Sequence, residues 1–346
     1  MGGIVSKKPQ SAIDIQLAKD KEDEKYNQKI LLLGTGESGK STVVKQVKMI
    51  YSKGSNNLTD REKFEYITAI RRNCIEAIQT LLEASTTLCI PLNDSNLKDD
   101  FEKVKNLEIN DTLDEKIAIS IDNLWNDAGI QTVFQNRDKF WNMDATPYYL
   151  REVLRIADAY YEPTEEDCVM TRVRTTGIVV TQINETPYTY QVVDVGGQRS
   201  ERRKWIHAFD DVKGVIFLDG LAGYNQVLFE DSSVNRMHES LNLFREIVKN
   251  PIFKKIPIFV FLNKKDLFEE MIPKYPLSKC FPEFQGPPGD ILSALEFIQQ
   301  QYYTIMEEEC PGKQLYIQII AARVRLDMKI AFGEVKESLK KLYPVK

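Results

Sequence analysis

One stretch constrains this chain more than any other: Gly34-Thr35-Gly36-Glu37-Ser38-Gly39-Lys40-Ser41. It fits G-x-x-x-x-G-K-[ST], the phosphate-binding loop. Residues 29–33, Lys-Ile-Leu-Leu-Leu, form a short apolar run ending at a glycine, which predicts a buried parallel strand. Residues 42–49 predict the first turns of a helix, so the motif has its required strand-loop-helix context. The glycines let the backbone wrap closely around phosphate oxygens. The helix that follows points its free N–H groups and positive dipole end at the anion. Lys40 is spaced to reach the β- and γ-phosphates, and the Ser41 hydroxyl to bind Mg²⁺. The loop alone does not choose between ATP and GTP, or between a hydrolase and a kinase.

The rest of the chain narrows the choice. After Lys53-Gly54-Ser55-Asn56-Asn57, a linker in composition, Phe64, Ile67, Ile70, Cys74, Ile75, Ile78, Leu81 and Leu82 recur at helical spacing. Further helices are predicted over 117–125, 130–140 and 148–160, and no strand before about Gly177. An all-helical block is therefore inserted after the phosphate-loop helix. Residues 178–183 and 188–193 then alternate like a hairpin around Asn184-Glu185-Thr186-Pro187. The second strand runs into Asp194-Val195-Gly196-Gly197-Gln198-Arg199, an acidic strand tip followed by glycines, which suits Mg²⁺ contact by Asp194, direct or through water. Strands over 214–219, 256–262 and 315–320 alternate with helices over 234–248, from 290 to about 303, and at the C-terminus with Met328, Phe332, Val335 and Leu339 on one face. Strands alternating with helices, with ligand motifs at strand tips, predict a doubly wound α/β fold.

Composition removes several function classes. Two histidines leave little material for a zinc hydrolase or a His-based nucleophile. The five cysteines are dispersed and lack C-x-x-C, which argues for a reducing compartment and against a zinc site or disulfide framework. A net charge of −5 gives no sign of general nucleic-acid binding. No apolar run approaches about 18 residues, so no membrane span is predicted, and no secretory signal is visible.

Asn263-Lys264-Lys265-Asp266 points to the base. A carboxylate at Asp266 accepts from both N1–H and the 2-amino group of guanine, whereas adenine offers no such donor pair. With this motif in place the chain resembles the α subunit of a heterotrimeric G protein over nearly its whole length. The resemblance is carried by the phosphate loop through Thr42, by Thr171-Arg172-Val173-Arg174-Thr175-Thr176-Gly177, by residues 194–205 and by Asn235-Arg236-Met237-His238-Glu239-Ser240. The helical insert with Tyr148-Tyr149-Leu150 and Pro163-Thr164 adds to it, and small GTPases lack that insert. The resemblance implies an N-terminal arm over 1–26, a Ras-like P-loop GTPase domain over 27–56 and 172–346, and an inserted all-helical domain over 57–171.

The resemblance also implies roles. Thr175 completes the Mg²⁺ shell with Ser41, Gln198 orients the attacking water, and Arg172 is an arginine finger supplied in cis. Glu37 resembles the phosphate-loop acid that pairs with the finger region, and Asp144 an insert residue facing the nucleotide. Ser38, Gly39, Lys40, Thr42, Val169, Met170, Asn263, Lys264, Asp266 and Ala322 complete the implied nucleotide set. Gly197, with no side chain, lets its N–H approach the γ-phosphate. Two departures stand out. The family's Thr-Cys-Ala-Thr guanine loop reads Ile320-Ala321-Ala322-Arg323 here, and the chain ends Leu342-Tyr343-Pro344-Val345-Lys346 without Cys-Gly-Leu.

The expected activity is Mg²⁺-dependent hydrolysis of GTP to GDP by a molecular switch. Expected partners are a βγ dimer, a receptor or other exchange factor, a GTPase-accelerating regulator and a downstream effector. Two other classes are set beside it. A phosphotransferase with a helical lid needs an acceptor pocket with basic clamps, and phosphate release without acceptor excludes it. A non-hydrolysing binding module is tested by single-turnover hydrolysis.

Residues 1–6, Met-Gly-Gly-Ile-Val-Ser, fit M-G-x-x-x-[ST], a myristoylation signal on Gly2. One such chain anchors marginally, and Lys7 and Lys8 add roughly 1 kcal/mol each near anionic lipid. The expected location is the cytoplasmic face of the plasma membrane, partly cytosolic. Gly2→Ala is expected to shift the protein from membrane to soluble fractions on cell fractionation. A wild-type protein that is equally soluble in cells carrying its partners would contradict the anchor.

Overall fold

The computed structural model describes residues 25–51, 58–108 and 111–344. The polar N-terminal arm, Gly2 and the composition linker after Tyr51 lie outside the described residues.

Six strands make one sheet in the order β2-β3-β1-β4-β5-β6. They are β1 (Asn27–Leu33), β2 (Ile178–Glu185), β3 (Tyr188–Val195), β4 (Val212–Gly220), β5 (Ile258–Asn263) and β6 (Leu315–Ile319). Only β2 runs antiparallel, in a hairpin with β3, and every other neighbouring pair is parallel. Parallel strands share one carboxyl edge, so the tips of β1, β3, β5 and β6 open onto the same side of the molecule.

Alternation along the strands feeds two cores. Leu31, Leu33, Val193, Val195, Val215, Phe217 and Val260 point to one face and pack under α9 (Arg236–Lys249) and α11 (Ile291–Glu309). Ile30, Leu32, Val192, Ile216, Leu218 and Phe261 point to the other, under α1 (Lys40–Tyr51) and α12 (Arg325–Leu342). Strands covered on both faces read as continuous apolar runs, which is why residues 29–33 and 258–262 show no polar alternation.

The inserted segment builds a third core of its own. The long helix α2 (Asp60–Thr87) starts at a capping box in which the Thr59 hydroxyl accepts from Glu62 N–H and Glu62 accepts in return. Its Ile70, Cys74, Ile78 and Leu81 pack against Ile117, Ile121 and Leu124 of α4 (Glu115–Asn126) and against Tyr149 and Leu150. Here the structure departs from the periodicity in detail. The helix expected over 130–140 is α5 (Ala128–Gln135) and stops at Asn136, and the chain then turns through residues 136–140. The helix expected over 148–160 is two pieces, α6 (Thr146–Arg151) and α7 (Val153–Ala157), separated where Glu152 leaves helical dihedrals. Three helices escaped the pattern because they are short and largely polar: α3 (Lys98–Lys105), α8 (Glu165–Met170) and α10 (Lys265–Met271).

Part-buried polar contacts tie the insert to the sheet domain. Lys45 of α1 donates to the carbonyls of Thr171 at 2.5 Å and Cys168 at 3.0 Å, at the point where the chain leaves the insert. Burial lowers the pKa of that ammonium to about 8. No helix of the described residues is long and apolar enough to cross a membrane.

Phe332 of α12 is fully buried, with its ring 5.6 Å from that of Tyr51 and 6.4 Å from that of Tyr190. Phe332→Ala is expected to cost about 3–5 kcal/mol, read as a lowered urea midpoint at unchanged slope. A loss below about 1 kcal/mol would contradict this packing.

Candidate functional site

The cavity at the carboxyl edge is lined by segments from six parts of the chain. At its floor the phosphate loop curls from β1 into α1. Gly39 takes φ +103°, and a Cβ there would collide with the side-chain amide of Asn263. Lys40 is buried and donates to the carbonyls of Gly34 at 3.0 Å and Thr35 at 2.7 Å. Burial lowers its pKa to about 8, with Asp194 pulling the other way. Gly197 caps the ammonium so closely that any Cβ would strike the Lys40 Nζ. Gln198 follows, its Cγ only 3.4 Å from where a Cβ on Gly36 would stand.

Beside the lysine, oxygen atoms converge. Ser41 Oγ and Thr175 Oγ1, 134 positions apart in the chain, lie 2.7 Å from each other. Both contact Asp194 Oδ2, at 2.9 and 3.2 Å. Asp194 Oδ1 is buried with no hydrogen-bond partner. Burial raises the Asp194 pKa, opposed by Lys40 and the two hydroxyls. Two hydroxyls over a carboxylate with a free buried oxygen fit Mg²⁺, which takes hard oxygen ligands and keeps several waters. No group of three His, Cys, Asp or Glu that could hold a metal occurs among the described residues.

Above the loop lies Arg172. Its Nη2 donates to Glu37 Oε1 at 2.7 Å and its Nη1 to Glu76 Oε1 at 3.3 Å. Its backbone N–H donates to Asn73 Oδ1 at 2.9 Å. Glu37, at φ +62°, also receives Arg236 at 3.0 Å and the Trp141 indole N–H at 3.0 and 3.1 Å. On the far wall Asn263 donates to Ser38 O at 2.9 Å and accepts from Lys264 N–H at 2.7 Å and Ala322 N–H at 2.8 Å. Lys264 reaches the Glu37 carbonyl at 2.5 Å and pairs with Asp144. Burial alone raises the Asp144 pKa, but Lys264 and Arg236 beside it hold its carboxyl well below the usual range. Asp266 faces the cavity with its carboxylate paired to Arg323, the residue that departs from the guanine-loop pattern.

Of the residues singled out in the sequence, Glu37, Gly39, Lys40, Ser41, Thr42, Asp144, Val169, Met170, Arg172, Thr175, Gly197, Gln198, Asn263, Lys264, Asp266 and Ala322 all line this one cavity. Ser38 and Asp194 are buried behind the lining, and Gly2 lies outside the described residues. Sequence reasoning missed Glu76, Trp141 and Gln226. Glu76 sits on an amphipathic helix among other polar residues, and nothing in its spacing marks it. Gln226 Nε2 donates to Asp144 Oδ1 at 2.6 Å, a contact 82 positions away in the chain. Arg236 stood inside one of the motifs that carry the resemblance, which was the available signal for its pairing with Glu37.

A mostly parallel sheet with a phosphate loop, an N-K-x-D strand tip and a helical insert at the cleft together define a Ras-like P-loop GTPase carrying a helical domain. A family profile described as "G-protein alpha subunit" matches residues 7–339. The "Guanine nucleotide-binding protein alpha-8 subunit" of Dictyostelium discoideum is 48% identical over 335 residues, covering 96% of this chain and 82% of that one. The "Guanine nucleotide-binding protein G(o) subunit alpha" of Caenorhabditis elegans is 38% identical over 313 residues, covering 89% and 87%. The chain belongs to the G-protein α-subunit family. It is a GTP-binding, GTP-hydrolysing signal transducer, the α component of a heterotrimer completed by a βγ dimer.

A Lys40 pKa of about 8 gives a pH test. The charged ammonium is the form that binds phosphate, and phosphate oxygens raise its pKa. Above pH 8 the free protein has lost this proton and regains it on binding. Calorimetry of GDP binding in buffers of different ionisation enthalpy should therefore show uptake of about one proton at pH 9 and almost none at pH 7. Equal uptake at both values would contradict the perturbed lysine.

Proposed function

We propose that the cavity hydrolyses GTP by holding its phosphates on the loop amides and Lys40, with Arg172 and Gln198 serving the transition state. The observation that carries the reading is the meeting of Ser41, Thr175 and Asp194, two hydroxyls and a carboxylate from distant parts of the chain, beside a buried lysine. Ser41 and Thr175 would hold Mg²⁺ here, with Asp194 behind them as the outer partner. When bound, the ion neutralises charge on the β- and γ-phosphate oxygens.

Hydrolysis breaks the bond between the γ-phosphorus and the β–γ bridging oxygen as a water oxygen adds on the opposite side. The chemistry needs a positioned water and neutralised charge more than a strong base. Gln198 orients that water. Arg172 leaves Glu37 and Glu76 and turns its N–H groups to the γ-phosphoryl oxygens. Gly197 N–H meets the same phosphoryl and couples it to the second switch, residues 194–205, while Thr175 couples it to the first. Asp266 accepts from guanine N1–H and the 2-amino group, and Ala322 N–H donates to the guanine carbonyl. The pairing of Asp266 with Arg323 competes with the base for the same carboxylate. Glu37, Ser38, Gly39, Thr42, Asp144, Val169, Met170, Asn263 and Lys264 complete the nucleotide contacts. The domain limits that accompany this reading are 27–56 with 172–346 for the GTPase domain and 57–171 for the insert, with an arm over 1–26.

The same reading extends to partners. A receptor or other exchange factor loads GTP, a GTPase-accelerating regulator shortens its lifetime, and an effector reads the switches. Myristoylation of Gly2 holds the protein to the cytoplasmic face of the plasma membrane.

Single-turnover hydrolysis and nucleotide exchange on the purified protein test the chemistry. Arginine-finger removal slows hydrolysis about 10³–10⁵-fold, a magnitude characteristic of GTPases as a class, heterotrimeric α subunits among them. Arg172→Cys and Gln198→Leu are each expected to slow it at least ~30-fold while GDP release changes little. The double variant should be less than additive, because both residues act on one transition state. Wild-type hydrolysis by a Gln198→Leu protein that binds GTP normally would remove the water-positioning role.

A further inference from the structure

Four side chains stack in one continuous row at the mouth of the cavity. The Arg172 guanidinium lies over the Trp141 ring, 4.9 Å from its centroid. The Trp141 and Phe229 rings meet edge-to-face, centroids 4.9 Å apart at 79°. The Arg174 guanidinium lies over the Phe229 ring at 4.0 Å. The four come from three places: Trp141 from the insert, Phe229 from the loop after β4, and both arginines from the segment that joins the insert to β2. Trp141 is itself seated on the edge of the insert's core, and its indole N–H is fixed on Glu37. Phe229 is 41% exposed, a large apolar ring in contact with the tryptophan ring and an arginine.

We propose that Trp141 is a positioning residue for Arg172, held in place by Phe229, so that the insert and the sheet domain jointly aim the finger. The proposal rests on the reading of Arg172 as the arginine finger. In the present arrangement the in-plane N–H groups of Arg172 are spent on Glu37 and Glu76. On the finger reading those N–H groups are the ones a γ-phosphoryl group would have to win from the two carboxylates. Attraction to a ring face draws on the positive charge of the guanidinium and does not require its N–H groups, which stay free to pair elsewhere. The guanidinium can turn over the indole, releasing both carboxylates and presenting the freed N–H groups to phosphate, while the contact with the ring persists. Without the ring, the two carboxylates are the remaining anchors and both favour the withdrawn pose.

Two variants separate the ring face from bulk. Trp141→Leu keeps apolar volume on the insert's core and removes the π face. Trp141→Phe keeps a face and removes the N–H to Glu37. Full-length protein loaded with GTP is followed through a single turnover with saturating Mg²⁺, in the wild-type and Arg172→Ala backgrounds, with bound nucleotide per protein as the check on folding. Trp141→Leu is expected to slow hydrolysis about 5- to 20-fold when Arg172 is present and less than about 2-fold when it is absent. Trp141→Phe should recover to within about 3-fold of wild type, and Phe229→Ala should fall between the two. Equal slowing by Trp141→Leu in both backgrounds, or none in either, overturns the positioning role and leaves that of Arg172 standing. Hydrolysis at the wild-type rate by Arg172→Ala overturns the finger reading itself, and the positioning role with it.

Discussion

The side-chain amide of Asn263 is the fastening on which the cavity depends. Its N–H₂ end holds the phosphate loop through Ser38, and its oxygen takes the backbone N–H groups of Lys264 and Ala322. One side chain therefore sets the spacing between the loop after β1, its own strand tip and the loop after β6. The group is 3% exposed, so the low dielectric around it strengthens each bond and makes the loss of any partner costly. The insistence on glycine at position 39 follows directly, because the amide occupies the space where a Cβ would stand. Phosphate site and base site are thus kept in register by the protein alone.

Around that fixed frame the polar groups are arranged in tension. Lys40 folds back on its own loop carbonyls, Arg172 is held by two carboxylates, and Asp266 is held by Arg323. On the proposed chemistry each of these ionic groups serves the substrate, and in the structure each is paired internally. A buried charge without a partner costs several kcal/mol, so internal pairing matters most for the buried Lys40 and the largely buried Arg172 and less for the part-exposed Asp266 and Arg323. Nucleotide binding then exchanges partners and does not create interactions from nothing, which limits the net affinity gained from each contact.

Much of this was legible in the chain before any coordinates. The phosphate loop, the acidic strand tip and N-K-x-D are local motifs whose spacing is set by backbone geometry, and each occupies the strand end expected of it. The helical insert was legible because its apolar positions recur at three and four residues over a long stretch. What was not legible arises from contacts distant in sequence. Glu76 meets Arg172 across 96 positions and Trp141 meets Glu37 across 104, and neither carries a local pattern. The break at Glu152 and the early stop at Asn136 were missed because periodicity continues through a turn that packing requires. The pairing of Arg323 with Asp266 lay partly within reach: the odd residue was visible at position 323, but its partner was not.

Arg172 belongs to the same polypeptide as the phosphate loop it faces. Its local concentration at the reaction centre is fixed by covalent tethering and does not fall when the protein is dilute. On the proposed chemistry, the decay of the GTP-bound form is then first-order and independent of how many copies a cell contains. On that reading the chain carries its own basal timer: cellular abundance sets how many signals are running, and the tethered arginine sets how long each one lasts until a regulator shortens it.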